Sequence, residues 1–337
     1  MKVFRLCLIF IIFIILVIFL GRLVSLKYVS EYQEGSFISD YYLEENTHDV
    51  IFLGDCEAYT SFSPMEIYKN SGITSYVRGS SQQLIGQSFY ILKETLRYEK
   101  PKVVVLSVGG MRYNRQTREE YNRLAIDKMK WSMEKIEMIK YSMLENENFL
   151  SYVFPLLRYH DRITKLTSDD IKYLFKNDSV SHNGFIINTE VKQMTTLPQR
   201  KVLSDYNFSE ENMDYLEKIY TLCKDNGIIL ILEKSPTMYP YWYSEYNQKI
   251  KDFADQHQID YYNFLEKIDE IGLDFNYDTF DSGVHLNLSG ATKFSKYFTR
   301  ILQEKYHLEG HYNDSKINND YNNKIRKYEE EVYEKNN

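Results

Sequence analysis

Cysteine is scarce in this chain of 337 residues, with Cys7, Cys56 and Cys223 as the only three. Cys7 lies in an apolar run, so at most one disulfide could form in the remainder, which excludes a disulfide-stapled scaffold. Neither a Cys-x-x-Cys nor a His-Glu-x-x-His spacing occurs, and these are common patterns of zinc sites. We therefore expect neither a metal site nor a cofactor.

Long basic runs are missing as well, and the net charge is −7 at pH 7. Because nucleic-acid binding relies on clustered Lys and Arg, this balance argues against a nucleic-acid partner. Tryptophan is nearly absent, with 2 residues, whereas tyrosine is abundant, with 31. The tyrosine excess fits a coding bias or, alternatively, a carbohydrate-binding surface.

One long apolar run lies near the N-terminus, from Leu6 to Leu20. It is shorter than the ~20 residues of a typical transmembrane helix. It can nevertheless span a bilayer if neighbouring apolar residues are included and Arg5 and Arg22 snorkel. A cleaved signal peptide is the alternative, although no small-residue cleavage site follows. We expect residues 1–24 to form an uncleaved single-pass anchor in the cell membrane, with the short N-terminal tail inside the cell and the remainder outside.

Between His48 and Tyr306, short apolar runs alternate with amphipathic helical patterns. Continuous apolar runs of this length are typical of parallel strands buried on both faces. The alternation predicts an α/β fold with a doubly wound, mainly parallel sheet covered by helices. About five strands are predicted, at residues 49–53, 73–77, 102–107, 228–232 and 259–263.

This alternation is interrupted between about residues 112 and 200, where helical patterns and irregular polar sequence follow one another. No linker rich in Gly, Pro and Ser marks a boundary, so we predict a helical insertion near the cleft of a single domain, residues 48–309. Residues 25–47 are expected to connect the anchor to this domain. Residues 310–337 are polar and lack aliphatic periodicity, which predicts a disordered tail.

Two segments carry candidate chemistry. Cys56 lies just past the first predicted strand, and Asp281 and His285 lie just before the last predicted helix. Parallel α/β sheets bind ligands at the carboxyl ends of their strands. A nucleophile needs a base, and the base needs a group that fixes its tautomer. Although an isolated cysteine is often a small core residue, these three residues together predict a nucleophilic site.

The same segments resemble a known family. The sequence GDC at 54–56 stands where SGNH/GDSL hydrolases have GDS, and residues 281–291, DSGVHLNLSGA, are similar to the block that closes their domain. Together the segments are most similar to the DltD-like branch. Its members are anchored proteins that work beside membrane O-acyltransferases in acylating teichoic acids and other surface polymers. The resemblance covers about residues 48–306, most weakly in the insertion, and implies that Cys56 replaces the usual nucleophilic serine.

The chain departs from the family pattern at the base as well as at the nucleophile. Asp281 and His285 are separated by one residue more than in the usual D-x-x-H, so Asp278 stays open as a second candidate for the orienting carboxylate. The sequence at 108–112, VGGMR, stands where the family offers an asparagine. The oxyanion hole would then rest on backbone N–H groups, with Asn114 as a possible substitute. The candidate backbone donors are those of Cys56, Gly79, Gly109 and Gly110.

Three further residues are weaker candidates for substrate binding. Asp55 precedes the predicted nucleophile. Trp242 follows the fourth predicted strand, where it either walls the cleft or packs in the core. Arg158 either grips an anionic polymer or belongs to a solvated helix face.

Two functions are consistent with the sequence. In the first, the chain is an acyltransferase or esterase that takes an acyl group, such as acetyl or D-alanyl, onto Cys56 and passes it to a polymer hydroxyl or to water. In the second, it is a non-catalytic assembly or polymer-binding partner of a membrane O-acyltransferase of the MBOAT type. The retained His285 and Asp281 favour the first function, whereas the change of serine to Cys56 favours the second. Under either function, the resemblance implies a teichoic acid or polysaccharide partner outside the cytoplasm.

Overall fold

The computed structural model describes residues 2–25, 37–116, 118–175 and 179–336. Its central sheet consists of β1 (Val50–Gly54), β2 (Ser75–Gly79), β3 (Val103–Ser107), β4 (Ile229–Lys234) and β5 (Asp260–Asn263). The strand order is β2-β1-β3-β4-β5, and every neighbouring pair is parallel. The predicted α/β fold with a mainly parallel sheet is confirmed.

Helices precede, separate and follow these strands. In chain order they are α1 (Lys2–Val24), α2 (Phe37–Asp40), α3 (Cys56–Ser61), α4 (Pro64–Ser71), α5 (Ile85–Thr95), α6 (Glu119–Ile126), α7 (Met133–Ser142), α8 (Phe149–Val153), α9 (Pro155–Tyr159), α10 (Ser168–Phe175), α11 (Glu210–Asp225), α12 (Ser244–His257), α13 (Ile268–Ile271), α14 (Leu288–Glu304) and α15 (Ser315–Asn336).

The sheet has a hydrophobic core on each face, as a doubly wound fold requires. Ile51 and Leu53 of β1 belong to the core shared with α5, α11 and α12. Val50 and Phe52 of the same strand belong to the opposite core, shared with α3 and α14. Strand β1 is therefore apolar at every position because both of its faces are covered, which is why it appears in the sequence as a continuous apolar run.

The carboxyl ends of the strands meet at one edge of the sheet. Gly54 at the end of β1 pairs with Gly79 at the end of β2, and Leu53 pairs with Leu106 of β3. The strand order reverses between β1 and β3, and ligands bind at such a switch point in open α/β sheets. Cys56 begins α3 directly beyond this point.

The segment predicted as an insertion consists of two parts. Helices α6 to α10 form the first part and include packing partners of α1 and α5. The second part, residues 186–206, has no regular helix or strand and runs beside residues 275–288. This second part lies against the segment that carries Asp281 and His285.

The C-terminal segment differs from the prediction of a disordered tail over residues 310–337. It contains α15, which packs against α4, and the Tyr321 ring stacks on Tyr68 with centroids 4.0 Å apart. The Tyr321 hydroxyl also accepts a hydrogen bond from the backbone N–H of Ser75 on edge strand β2, at 3.2 Å. The prediction was wrong because it searched for aliphatic residues, whereas the buried stripe mixes tyrosine with aliphatic side chains at helical spacing. The stripe is Ile317, Tyr321, Ile325, Tyr328 and Val332.

Removing the Tyr321 ring should destabilise the fold. We expect Tyr321→Ala to lower the free energy of unfolding by about 3–5 kcal/mol, as for other large buried aromatic side chains. Glu330→Ala, at an exposed position of the same helix, is the matched control and should change it by less than about 0.5 kcal/mol. Urea unfolding of the full chain in detergent micelles measures both. Equally small effects would contradict the packing of α15.

The N-terminal helix α1 has a mean hydropathy of 3.3 over its most apolar window. Within the described residues it is the one helix long and apolar enough to cross a membrane, a property that a signal sequence shares. Its side chains are exposed along most of its length. Such a surface is stable in lipid rather than in water.

Candidate active site

Cys56 is presented by a tight turn between β1 and α3. The Asp55 side chain caps α3 by accepting a hydrogen bond from the Glu57 N–H at 3.0 Å. Gly54 passes so close to β3 that a Cβ at this position would lie 2.6 Å from the Ser107 Cβ. Only glycine fits there, and the turn leaves Cys56 partly exposed while its neighbours in α3 are buried.

His285 is held by two contacts to one carboxylate. Its ring Nδ1 lies 2.5 Å from Oδ2 of Asp281, and its backbone N–H donates to Oδ1 at 2.7 Å. The Phe280 ring stacks on the imidazole with centroids 5.6 Å apart. Because Nδ1 is engaged by Asp281, Nε2 is left for the Cys56 side chain, with which the imidazole interacts electrostatically.

The extra residue between Asp281 and His285 is accommodated by a left-handed turn. Ser282 has a φ of 64° and Gly283 a φ of 91°. Positive φ values fold the chain back sharply and are easiest for glycine, and here they return His285 to the Asp281 carboxylate. The other candidate carboxylate, Asp278, is buried and paired with Lys293 at 2.6 Å. The geometry therefore pairs Asp281, not Asp278, with His285.

The charges of Cys56 and His285 depend on each other. Burial raises the pKa of the Cys56 thiol, although the nearby His285 works in the opposite direction. Burial disfavours the imidazolium, but Cys56 and Asp281 outweigh it and raise the pKa of His285 well above its usual value. Such a pair titrates as a unit, and its singly protonated form provides the nucleophile and the proton donor needed for acyl transfer.

A buried ionic cluster, which the sequence analysis missed, lies beside the nucleophile. The Glu57 carboxylate accepts from the Lys234 ammonium at 2.6 Å and from the Arg112 guanidinium at 2.9 Å. Burial opposes ionisation of Glu57, but the two cations outweigh it and hold its pKa below the usual range. The sequence signal was present: Lys234 ends a strand that is otherwise almost entirely apolar, and an unpaired charge is not buried there.

Two further acids near the cluster are held closer to neutrality. Burial raises the pKa of Asp55 to about 6, and the neighbouring Glu57 charge adds to this. Burial also raises the pKa of Glu233 to about 8, and Ser235 Oγ lies 3.1 Å from each of its carboxylate oxygens. Asp55 is completely buried, and its side chain caps α3. It is therefore not exposed to substrate, which differs from the prediction made from the sequence.

The three predicted oxyanion glycines lie at the carboxyl ends of the strands that flank β1. Gly79 ends β2, and a Cβ on it would lie 3.0 Å from the Gly54 carbonyl oxygen. Gly109 and Gly110 follow β3, and a Cβ on Gly109 would lie 3.0 Å from the Glu57 carboxylate. Gly79 and Gly109 are therefore packed against the turn that carries Cys56 or against α3, whereas a Cβ on Gly110 would lie 2.8 Å from the Gln83 carbonyl oxygen. Asn114, the substitute donor, is exposed beyond this packed region.

The structure places the two remaining candidates away from the nucleophile. Trp242 is 8% exposed and belongs to the core, where its ring stacks on Phe208 and its Nε1–H donates to the Tyr261 hydroxyl. Of the two interpretations, core packing is the one observed. Arg158 lies on α9 and donates to Glu119 at 2.6 Å, in the helices beside α1. Within the described residues, no cluster of His, Cys, Asp and Glu side chains is arranged to hold a metal ion.

The 186–206 segment covers one side of the His285 loop. The Lys192 N–H donates to the Thr279 carbonyl at 2.9 Å, and the Lys192 carbonyl accepts from the Ser282 N–H at 3.1 Å. Met194 is close enough that a Cβ on Gly283 would lie 2.9 Å from its sulfur. Met194 thus places an apolar side chain beside the turn that returns His285 to Asp281.

Alkylation by iodoacetamide should distinguish the cysteines of the domain. Cys56 is partly exposed, and burial raises its pKa while the nearby His285 lowers it, whereas Cys223 is buried and its pKa is raised to about 12 by that burial. Because the thiolate is the reactive form, the folded chain should be modified at Cys56 and spared at Cys223. His285→Ala removes the group that lowers the Cys56 pKa. It should slow alkylation at neutral pH and move its rise to higher pH.

Peptide mass spectrometry of chains alkylated between pH 6 and 10 measures this effect. His257→Ala supplies the control. His257 lies on α12 and pairs with Glu217 on α11, so its replacement should leave the Cys56 profile unchanged. An unchanged profile in His285→Ala would mean that the two side chains do not interact in solution.

No protein-family model and no curated protein matches this chain. Solved structures that resemble it include one described as a G-D-S-L family lipolytic protein from Desulfitobacterium hafniense, at 12% identity and a TM-score of 0.37, covering 76% of this chain and 100% of the other. An acylhydrolase from Bacteroides fragilis matches at 12% identity and a TM-score of 0.38, covering 80% and 94%. A GDSL-like lipase from Bacteroides thetaiotaomicron has the same identity and TM-score, covering 80% and 98%. At similarities this low we draw no functional conclusion from them and base the function on the side chains of this chain.

Proposed function

We propose that this chain is a membrane-anchored acyltransferase or esterase of the SGNH type, with its domain outside the cytoplasm. The observation that carries the proposal is the position of His285, whose ring bonds Asp281 and interacts electrostatically with Cys56. This is the arrangement by which a base activates a nucleophile and is itself held in one tautomer. It lies at the carboxyl edge of the sheet, next to the β1–β3 switch point, where α/β folds bind substrates.

The reaction consists of two transfers. The Cys56 sulfur, as thiolate, attacks the carbonyl carbon of an ester donor, and the C–O bond to the leaving group breaks as His285 gives its proton to that oxygen. An acceptor hydroxyl, or water, then loses its proton to His285 and attacks the thioester carbon. The C–S bond breaks, the acyl group leaves as an ester or acid, and the thiolate–imidazolium pair is restored.

Backbone N–H groups provide the oxyanion hole in this proposal. Cys56 N–H at the start of α3, together with those of Gly79, Gly109 and Gly110 at the ends of β2 and β3, would stabilise the negative oxygen of each tetrahedral intermediate. The packing of Gly79 and Gly109 against the nucleophile turn and α3 supports the assignment. Asp281 acts as the positioning residue for His285 and stabilises the imidazolium.

We assign the acceptor to a hydroxyl-rich surface polymer, a teichoic acid or polysaccharide. A membrane O-acyltransferase of the MBOAT type would deliver the acyl group, as acetyl or D-alanyl. The resemblance of the two site segments to the DltD-like branch and the apolar helix α1 support this assignment. A non-catalytic role beside the same acyltransferase is the second candidate, and the raised pKa of the Cys56 thiol is the observation that favours it.

Acyl content of the surface polymer distinguishes the two candidates. In a strain lacking the native copy, Cys56→Ala and His285→Ala should fail to restore acylation if the chain is an enzyme. Cys56→Ser should restore part of it, since a hydroxyl beside His285 is still a usable nucleophile. Cys223→Ala, which alters a cysteine remote from His285, is the control for expression. Full acylation with Cys56→Ala would end the catalytic proposal in favour of the non-catalytic one.

A further inference from the structure

The C-terminal end of α1, where the anchor leaves the membrane, is fixed to the domain by direct contacts. A Cβ on Gly21 would lie 3.6 Å from Cδ of Pro155 in α9, and Val24 is completely buried. Arg162 donates to the carbonyl oxygens of Val24 at 2.6 Å and Ser25 at 3.1 Å. These are among the carbonyls that the end of a helix leaves unsatisfied, so Arg162 acts as a C-terminal cap for α1.

The helices around this exit expose apolar side chains. Residues 149–175, which include α8, α9 and α10, are named the collar here, and α9 and α10 pack directly on α1. Single exposed leucines are ordinary on a protein surface, but a group of them that adjoins an apolar anchor marks a contact surface. The exposed apolar side chains of the collar are Leu150, Phe154, Leu157, Ile163, Ile171 and Phe175.

The length of the anchor shows where this surface lies. The apolar run from Leu6 to Leu20 is about 22 Å long at ~1.5 Å per residue, whereas the hydrocarbon core of a bilayer is about 30 Å thick. The collar packs on residues 21–24, directly beyond the C-terminal end of that run. Its apolar side chains thus lie where α1 leaves the hydrocarbon layer.

We propose that the collar lies in the membrane–water interface of the outer leaflet and buries its exposed apolar side chains among the lipids. The inference rests on the proposed function in that α1 must span the bilayer with the domain outside. Lipid is the occupant because the surface continues from the lipid-facing helix itself. Arg158 and Arg162 form ion pairs with Glu119 and Asp170. These two arginines therefore do not prevent contact with lipid, and they do not require a charged partner from another protein.

This seating has a consequence for the active site. Glu119, the partner of Arg158 in the collar, follows Arg112 by seven residues, and Arg112 contacts Glu57 beside the nucleophile. Seven extended residues reach at most about 25 Å. Arg112 therefore lies within about 25 Å of Glu119 beside the collar, which keeps the catalytic edge near the membrane surface and suits an acyl donor delivered there.

Fluorescence quenching by lipids tests the seating. The full chain with Cys7→Ser, Cys56→Ala and Cys223→Ala receives one new cysteine, labelled with an environment-sensitive dye, and is reconstituted into vesicles of phosphatidylethanolamine and phosphatidylglycerol. Leu157→Cys and Ile171→Cys place the dye on the collar. Ile12→Cys places it in the anchor, and Val202→Cys, at a position 92% exposed on the domain, is the aqueous control.

Shallow nitroxide-labelled lipids should quench the dye at Leu157→Cys and Ile171→Cys at least about twofold, because interfacial helices bury their apolar face roughly 5–10 Å into the headgroup and acyl boundary. Quenching at Val202→Cys should be negligible, and deep nitroxides should quench Ile12→Cys. Quenching at Ile12→Cys alone would overturn the collar inference while leaving the anchor in place, and would assign this surface to a protein. No quenching at Ile12→Cys would overturn the anchor itself and with it both proposals. A circular-dichroism spectrum equal to that of the unlabelled chain confirms that each variant is folded.

Discussion

Cys56→Ala, His285→Ala and the double variant should all lose acyl transfer to the same extent. We expect each to lower kcat/KM by about 10⁴- to 10⁶-fold, or roughly 5–8 kcal/mol of transition-state stabilisation. The losses are not additive because every step uses both groups: without His285 the thiol is not activated, and without Cys56 there is nothing to acylate. The rate of hydrolysis of an activated ester by the full chain in detergent micelles measures all three variants.

Cys223→Ala is the matched control for the loss of a thiol and should retain full activity, since Cys223 is buried in a core remote from the site. Independent losses that multiply in the double variant would contradict a nucleophile–base pair. Such a result would leave Cys56 and His285 as two separate contributors to binding or folding.

Asp281→Asn should lower the rate less than the loss of His285 does and should also change its pH dependence. The Asp281 carboxylate helps to raise the pKa of His285, so its removal lowers that pKa. The imidazolium then loses its proton at a lower pH, and the alkaline limb of the kcat/KM profile should move in the same direction. A limb that stays in place would mean that Asp281 is not the partner of His285 in the working enzyme.

Lys234→Met should be among the most destabilising single changes in the domain. Lys234 is completely buried, and its ammonium group lies 2.6 Å from the Glu57 carboxylate. Methionine leaves Glu57 with Arg112 as its one remaining cation within the described cluster, and removing one partner of a buried ion pair costs about 3–5 kcal/mol. Urea unfolding in detergent micelles should show a lower midpoint.

Two variants separate this effect from a general loss of charge. Lys267→Met breaks an exposed pair with Glu270 and should leave stability almost unchanged. Glu57→Gln added to Lys234→Met removes the stranded charge and should recover part of the lost stability. If the double variant lost more stability than the two single variants lose when their losses are added, the ion pair would not be the source of the effect.

The sheet was predictable from the sequence because buried parallel strands leave a direct trace. The central strands β1 and β3 are covered on both faces, so their side chains are almost all apolar without alternation, and the runs at 49–53 and 102–107 lie within one residue of these strands. Cys56 and His285 were predictable as neighbours for a related reason. Residues that follow the carboxyl ends of parallel strands meet at one edge, whatever their separation in the chain.

The buried ionic cluster was harder to predict because it depends on partners far apart in the chain. Glu57 and Lys234 are separated by 177 positions, and a glutamate after a nucleophile looks like an exposed helix residue until the cation that neutralises it is placed. Trp242 raised a similar difficulty. An aromatic residue beyond a strand end can face the cleft or the core, and only the packing of Phe208 and Tyr246 against its ring decides.

Helix α15 and the collar show where composition misleads. The polar tail appeared unable to bury a core, yet Tyr321 and Tyr328 provide one because a tyrosine ring packs as well as an aliphatic chain. In the collar, by contrast, apolar side chains that a soluble domain would bury stay exposed. The reason for their exposure follows only from the position of α1, which lies more than a hundred residues earlier in the chain and packs on α9 and α10.

The central claim, that Cys56 carries the acyl group, is tested most directly by intact-mass spectrometry of the full chain after brief exposure to an activated acetyl ester and acid quenching. We predict a single acetyl adduct on Cys56 that neutral hydroxylamine removes, as it removes thioesters. The adduct should be absent in Cys56→Ala and strongly reduced in His285→Ala, and in Cys56→Ser it should appear as an oxyester that neutral hydroxylamine leaves intact. A wild-type chain that acquires no adduct, or an adduct that persists in Cys56→Ala, would contradict the account.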